Sequence, residues 1–231
     1  MKIALLGFGN MGRIIDSLAR KKDFEIVKTY DINNPLKLSD RVQDELKDVS
    51  VFIDFSISEE VLEHVKICTR IKKNMVIGTT GWGNQFNAVQ KLVEESGTGV
   101  VYASNFSIGI NLFYKIVQRA ANEFKSFNQY FPFILESHHR GKRDAPSGTA
   151  LTLKDEMSLA YQSNDIPVSS VRAGFIPGTH IVGFDSNVDS IELKHTARNR
   201  EGFAEGALLA ARWIHHKKGM FPFSKVLEAM Q

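Results

Sequence analysis

Short, unbroken apolar runs alternate with stretches of helical period from the first residues to about residue 106, and then the pattern changes. Residues 2–6, 24–30, 51–55, 75–77 and 99–103 read as strands buried on both faces. Between them, Ile14, Ile15, Leu18 and Ala19 fall on one side of a helix over 13–22, and 59–72 and 85–95 also carry helical spacing. Repeated strand–helix units of this length predict a doubly wound parallel sheet.

From residue 108 a long helix runs to 124, followed by a strand over 129–137 and a helix over 147–160. Strand-like runs at 170–174, 179–184 and 189–196 follow, with no helix long enough to cross between them. They predict a mixed, partly antiparallel sheet in a second α+β domain. Gly174 and Gly178 suggest a tight, hairpin-like connection there. A last long helix over 202–215 and a short terminal one are expected to pack back on the first domain. The expected division is therefore 1–106 with 203–231, and 107–202.

The glycines give the first half its chemistry. Gly7-Phe8-Gly9-Asn10-Met11-Gly12 lies between a strand and a helix, the context in which Gly-x-Gly-x-x-Gly binds a dinucleotide. Gly7 makes the tight turn, Gly9 admits the pyrophosphate and Gly12 lets the helix pack against the strand. The second strand ends at Asp31, placed to accept hydrogen bonds from the adenosine ribose. That acid would repel a 2′-phosphate, and Ile32 rather than an arginine follows it, so NADH is the preferred cofactor. Lys28 or Lys37 leaves NADPH open. Phe55-Ser56, Gly78-Thr79-Thr80 and Ala103-Ser104-Asn105-Phe106 end later strands, where such sheets bind ligands. They are expected to line the nicotinamide end, against the plainer reading of each as an ordinary turn.

Within the second half, Glu136 to Ala150 reads Glu-Ser-His-His-Arg-Gly-Lys-Arg-Asp-Ala-Pro-Ser-Gly-Thr-Ala. Asp144 and Pro146 mark a helix start, with Ser147, Gly148 and Thr149 in its first turn. Unpaired N–H groups, a glycine and two hydroxyls there make an anion site. Lys142 can donate a proton and His138 titrates near neutrality, so one loop combines carboxylate binding with acid chemistry. A basic loop with an ordinary cap is the plainer alternative.

Composition narrows the field. The 231 residues are 43% hydrophobic and 24% charged, with a net charge of +3 and a pI near 8.9. Those are values for an ordinary soluble protein. The cations are spread out apart from the central loop, and no basic arm or aromatic-interleaved stripe points to nucleic acid. Cys68 is the only cysteine, which excludes an intrachain disulfide framework and suits a reducing compartment; it reads as a small buried helix residue. No apolar run suits a signal-peptide core or a membrane span, so a cytoplasmic location is expected. No metal is expected either, since His138-His139 lacks helical zinc spacing and His215-His216 reads as a solvated helix end.

The central string strongly resembles the signature of the 4-hydroxy-tetrahydrodipicolinate reductase (dihydrodipicolinate reductase) family of lysine and diaminopimelate synthesis. The similarity extends to Gly7–Gly12, Asp54-Phe55-Ser56, residues 76–81, 103–107 and 171–174, and the helix after Phe203. The resemblance implies that His138 and Lys142 form the proton-donating pair. It implies that His139, Lys142, Ser147, Gly148 and Thr149 hold substrate carboxylates, and that Gly7–Gly12, Asp31, Gly78–Thr80 and Ala103–Phe106 contact the dinucleotide. It further implies a homotetramer joined through sheets of the second domain, using NADH or NADPH. The glycine turn is one residue shorter than the commonest family form, and Asp31-Ile32 lacks the arginine that some members use for NADPH.

Two rivals stand beside this reading: a dehydrogenase of another amino-acid-like dicarboxylate, and a nucleotide-sensing protein without turnover. Retention of both His138 and Lys142 argues against a sensor, which needs no proton donor.

Overall fold

The computed structural model describes residues 1–39 and 42–230, so positions 40, 41 and 231 of the expected domains lie outside the described residues. In chain order the elements begin β1 (Lys2–Leu6), α1 (Asn10–Ala19), β2 (Glu25–Tyr30), α2 (Val42–Glu45), β3 (Val51–Asp54), α3 (Val61–Arg70), β4 (Asn74–Ile77), α4 (Phe86–Ser96) and β5 (Gly99–Tyr102). They continue with α5 (Ile108–Phe124), β6 (Phe131–His138), α6 (Gly148–Tyr161), β7 (Val168–Arg172), β8 (Thr179–Asp185) and β9 (Ser190–Thr196). The chain ends with α7 (Glu201–Ile214), β10 (Gly219–Pro222) and α8 (Phe223–Glu228). It divides into two compact units, Met1–Ile108 with Arg200–Gln231, and Gly109–Asn199.

The first unit is built on a six-stranded parallel sheet of order β10-β5-β4-β3-β1-β2. Alternation along each strand feeds two cores. Ile3, Leu5, Val51 and Ile53 face α1, α7 and α8, while Ala4, Leu6 and Phe52 face α3 and α4. This is why these strands read as continuous apolar runs: both faces are covered. Alanines at 204, 207, 210 and 211 let α7 lie close to the sheet. Cys68 is buried in α3, and burial pushes its thiol well above the ordinary range.

Several boundaries differ from the sequence expectation. A single 3-10 turn precedes α3 and another precedes α4, at Ser58–Glu60 and Gly83–Gln85. Strand β10 is absent from the sequence reading. It is only four residues long, holds a glycine and a proline, and forms the sheet edge beside β5, where proline is tolerated.

In the second unit, the four-stranded sheet has order β7-β6-β8-β9; β7 runs parallel to β6, and the other pairs are antiparallel. The link from β7 to β8 is consequently not a hairpin, contrary to the expectation from Gly174 and Gly178. Helix α6 carries the chain across to lay β7 beside β6, and the next strand takes the opposite edge of β6. One sheet face packs on α5 and α6 through Ile134, Val182, Phe184, Val117, Leu153 and Met157. The other face carries Phe131, Phe133, Leu135, Val171 and Ile181, of which Phe131, Leu135 and Val171 are exposed. Among the described residues no helix is long and apolar enough to cross a membrane.

Candidate active site

Strand β6 shows how the second unit turns a core face into a reactive one. Its period of two places Ile134, Glu136 and His138 on the inner face, where Ile134 joins the apolar core and the next two side chains are polar but buried. The registers bring Ser170 and Arg172 of β7 beside Glu136 and His138, and His180 of β8 beside Glu136. A polar cluster therefore caps the core at one end of the sheet.

Glu136 is the hub. Arg172 Nη2 donates to its Oε1 at 2.7 Å, the Ser147 backbone N–H reaches the same oxygen at 3.3 Å, and His138 Nδ1 contacts Oε2. Burial drives the Glu136 carboxyl upward, but hydrogen bonds from Arg172 and Ser170 and the charge of His138 outweigh it, leaving the pKa at about 2. Burial lowers that of His138; Glu136 opposes the shift, while Lys142 and Arg172 reinforce it. His180 is pushed down to about 4, first by burial and then by the neighbouring His138. The His138 and His180 rings meet edge to face with centroids 5.1 Å apart. The Nε2 edge of His138 lies along Gly178, where a Cβ would stand 3.1 Å from it.

The helix start differs in detail from the sequence expectation. Ser147 is the N-cap of α6 rather than part of its first turn, and Pro146 lies outside the helix. Ser147 Oγ accepts the Ala150 N–H at 3.2 Å and faces His180 Nε2 at 3.2 Å, so this hydroxyl is buried and committed to the fold. Gly148 is exposed and Thr149 half-buried beside the Tyr114 hydroxyl. Lys142 Nζ sits 2.7 and 2.9 Å from the two oxygens of Asp144. The ammonium holds the Asp144 carboxyl below its ordinary range, with help from the Gly148 N–H. One of the chain's own carboxylates thus occupies two of the donors expected to bind an external anion. His139 is half-buried at the loop entrance.

Glu136, His138 and His180 present potential ligand atoms within 4.8 Å of one another. The Arg172 guanidinium already neutralises that carboxylate, which makes this a charge-compensated hydrogen-bond network. Arg172 also donates to the Asp144 carbonyl at 2.6 Å. The sequence reading missed Glu136, Arg172 and His180 as a group. The alternation Glu136-x-His138 was the available signal, but 36 and 44 residues of sequence separate Glu136 from its partners.

In the first unit, every predicted nucleotide-binding segment leaves the carboxyl end of a parallel strand. Strand order reverses between β1 and β3, and there Gly7, at φ +89°, lies against Phe55. A Cβ at Gly7 would overlap the Phe55 carbonyl, one at Gly12 would overlap the Gly7 carbonyl, and one at Gly78 would overlap the Phe55 ring. Phe8 is half-buried with Arg13 over its ring at 5.8 Å, whereas Gly9 and Asn10 are exposed and Met11 packs on the core. Asp31 Oδ1 accepts the N–H groups of Asn33 and Asn34 at 2.9 and 3.0 Å, so one oxygen closes its own turn.

A second hub, also missed, underlies these loops. Asp54 is fully buried, and its Oδ1 accepts Ser56 N–H, Ser56 Oγ and Thr79 Oγ1 at 2.9, 2.6 and 2.8 Å. Its Oδ2 lies 2.8 Å from His64 Nδ1. The hydroxyls of Ser56 and Thr79 consequently face inward, while Thr80 and Ser104 are exposed. Asn105 Oδ1 accepts the Ser107 N–H at 2.8 Å, and Phe106 is buried against Phe223 with ring centroids 4.8 Å apart.

Family models match both halves of the chain. The family described as dihydrodipicolinate reductase, N-terminus, matches residues 1–106, and the one described as dihydrodipicolinate reductase, C-terminus, matches 109–227. The 4-hydroxy-tetrahydrodipicolinate reductase of Christiangramia forsetii is 35% identical over 98% of each chain. That of Methanosarcina barkeri is 34% identical over 98% of this chain and 99% of its own. A dipicolinate-bound dihydrodipicolinate reductase from Paenisporosarcina sp. TG-14 shares the fold with a TM-score of 0.81, at 23% identity over 96% of this chain and 97% of that one. The chain belongs to the dihydrodipicolinate reductase family, the NAD(P)H-dependent oxidoreductases of lysine and diaminopimelate synthesis.

Proposed function

We propose that this chain reduces 4-hydroxy-tetrahydrodipicolinate to tetrahydrodipicolinate, with NADH as its preferred reductant and NADPH accepted. The observation that carries the reading is the β6–α6 loop, where an imidazole, an ammonium and a helix start converge within one unit.

The glycine turn and its neighbours supply the dinucleotide site. Gly9 leaves room for the pyrophosphate against the start of α1, in company with Phe8, Asn10 and Met11, while Gly7 and Gly12 allow the close backbone packing that shapes the turn. Asp31 keeps one oxygen for a ribose hydroxyl after closing its own turn with the other. Ile32 stands exposed where an arginine would favour a 2′-phosphate, which supports NADH. Phe55, Ser56, Gly78, Thr79, Thr80, Ala103, Ser104, Asn105 and Phe106 complete the site at the strand ends, with the N–H groups and hydroxyls of Ser56 and Thr79 held by Asp54 to shape its floor.

When bound, the reduced nicotinamide supplies a hydride. The chain's part is to hold two carboxylates and deliver a proton. His139, Gly148 and Thr149 receive carboxylate oxygens, and Ser147 fixes the helix start that aims the Gly148 N–H. An incoming carboxylate competes with Asp144 for Lys142 and Gly148. His138, with Lys142, gives the proton to the atom beside the new carbon–hydrogen bond, quenching the charge that develops there. The exposed apolar face of the second sheet, at Phe131, Leu135 and Val171, supports assembly into a homotetramer. The reading thus divides the labour, with residues 1–106 and 203–231 for the dinucleotide, and 107–202 for substrate and assembly.

The test is a reductase assay on freshly made condensation product of pyruvate and aspartate semialdehyde, with each nicotinamide in turn. Consumption of NADH is expected. Silence with that substrate, alongside turnover of another imine or 2-amino acid, would overturn the proposal.

A further inference from the structure

Glu136 is a charged side chain with no solvent exposure, set in the middle of a strand. Desolvating a lone carboxylate costs several kcal/mol, so a buried one persists only with dedicated partners. Three of its partners belong to different working parts of the site. Its Oε2 meets His138 Nδ1, its Oε1 holds the N–H of the Ser147 cap, and Arg172 from the neighbouring strand anchors the same oxygen. Arg172 also secures the Asp144 carbonyl in the loop that carries Lys142. Glu136 therefore connects the imidazole, the helix start and the ammonium loop through a single rigid group.

We propose that Glu136 is the positioning residue of the proton transfer: it keeps His138 protonated at Nδ1, so that Nε2 carries the proton that leaves, and it fixes the distance from that nitrogen to the helix start. The inference rests on the reading of His138 as proton donor. Hydride adds to one substrate atom and the Nε2 proton to its neighbour; the ring is left neutral with its remaining proton on Nδ1, facing Glu136. Solvent then restores the Nε2 proton.

The groups that face His138 are Glu136 on its own strand, Arg172 on β7, His180 on β8 and Lys142 on the following loop. Two of them are cations, and burial adds to their effect in disfavouring the imidazolium. Glu136 alone supplies the opposing charge. A bystander carboxylate that only served packing would leave the titration of turnover untouched.

Glu136→Gln keeps the shape and an oxygen for Arg172 and Ser147 but removes the charge. Its alkaline limb of kcat/KM should move to lower pH, and kcat should fall about 100-fold at neutral pH, with KM for NADH within about twofold. A folded Glu136→Gln enzyme with the native pH profile and kcat overturns the proposal. His138→Gln separates this inference from the reading beneath it. Native turnover in His138→Gln sinks the proton-donor assignment itself, whereas slow His138→Gln beside normal Glu136→Gln sinks only the role of Glu136. Should Glu136→Gln fail to fold, 15N NMR of the native chain, assigned with His138→Gln, decides. A His138 ring protonated at Nδ1 throughout the neutral range is expected, and the opposite neutral tautomer refutes the proposal.

Discussion

His64 Nδ1 lies 2.8 Å from Asp54 Oδ2, both side chains buried beneath the loops that follow β3 and β4. The other oxygen of Asp54 ties Ser56 and Thr79 together. Removing the acid strands the His64 imidazole and the Thr79 hydroxyl in the interior and takes the main partner from half-buried Ser56. Asp54→Ala should destabilise the first unit by about 3–5 kcal/mol, and Asp54→Asn by less, because an amide oxygen still serves Ser56 and Thr79. Urea unfolding checks this. Losses within about 0.5 kcal/mol for both variants, as for ordinary surface changes, would contradict it.

Lys142→Ala should lower turnover by about 100-fold or more while the binding of NADH to the first unit stays native. Steady-state kinetics with a fluorescence titration of NADH separate the two quantities. Near-native turnover removes Lys142 from the proton-donating pair.

Ile32 is 90% exposed beside Asp31. Placing a guanidinium there, as Ile32→Arg, should raise kcat/KM for NADPH relative to NADH by about tenfold, the worth of one charge-assisted hydrogen bond of roughly 1.5 kcal/mol. An unchanged ratio would mean that the adenosine end lies elsewhere.

Leu135 and Val171 stand on the outer face of the second sheet, on neighbouring strands. Leu135→Glu and Val171→Glu should each give a smaller species than the native chain in analytical ultracentrifugation, since a buried unpaired carboxylate is costly in an interface. Identical sedimentation of native and variant chains argues that this face is not the contact.

Acid sensitivity follows from two buried groups. His180 titrates at about 4 in the folded chain against an ordinary 6.5, so between those values only the unfolded chain takes up its proton. Its contribution to stability is complete above about pH 6.5 and disappears as pH falls toward 4, at up to about 1.4 kcal/mol per pH unit. Glu136 adds a second window: its contribution is present above about 4.5 and is lost as pH falls toward 2. His180→Asn should flatten the upper window and leave the lower one. Parallel pH–stability curves for native and variant chains would refute the assignment.

How far the molecule could be read from its residues depended on how local each signal is. The parallel sheet was legible because a doubly covered strand is apolar throughout, and the glycine turn because the Gly-x-Gly-x-x-Gly spacing is local and Gly12 answers to the Gly7 carbonyl five residues back, whereas the contact of Gly7 with Phe55 was not. Helix α5 was placed with its observed ends, since its apolar spacing is regular from Ile108 to Phe124. The hubs were not legible. Asp54 reads as the last residue of a strand until His64 and Thr79 fold over it, and Glu136 as an alternating polar position until Arg172 arrives. Strand β10 has too few apolar residues to announce itself; only its pairing with β5 makes it a strand.

The first unit also closes late. Strand β5 waits with one edge bare while more than a hundred further residues leave the ribosome, and only then does β10 arrive to cover it. A nascent chain stopped after residue 199 would present that open edge, and would lack α7 and α8 over the underside of the sheet. Residues 200–228 therefore complete the first unit's sheet and its covering, and truncations that remove them should be found in inclusion bodies rather than as weak enzymes.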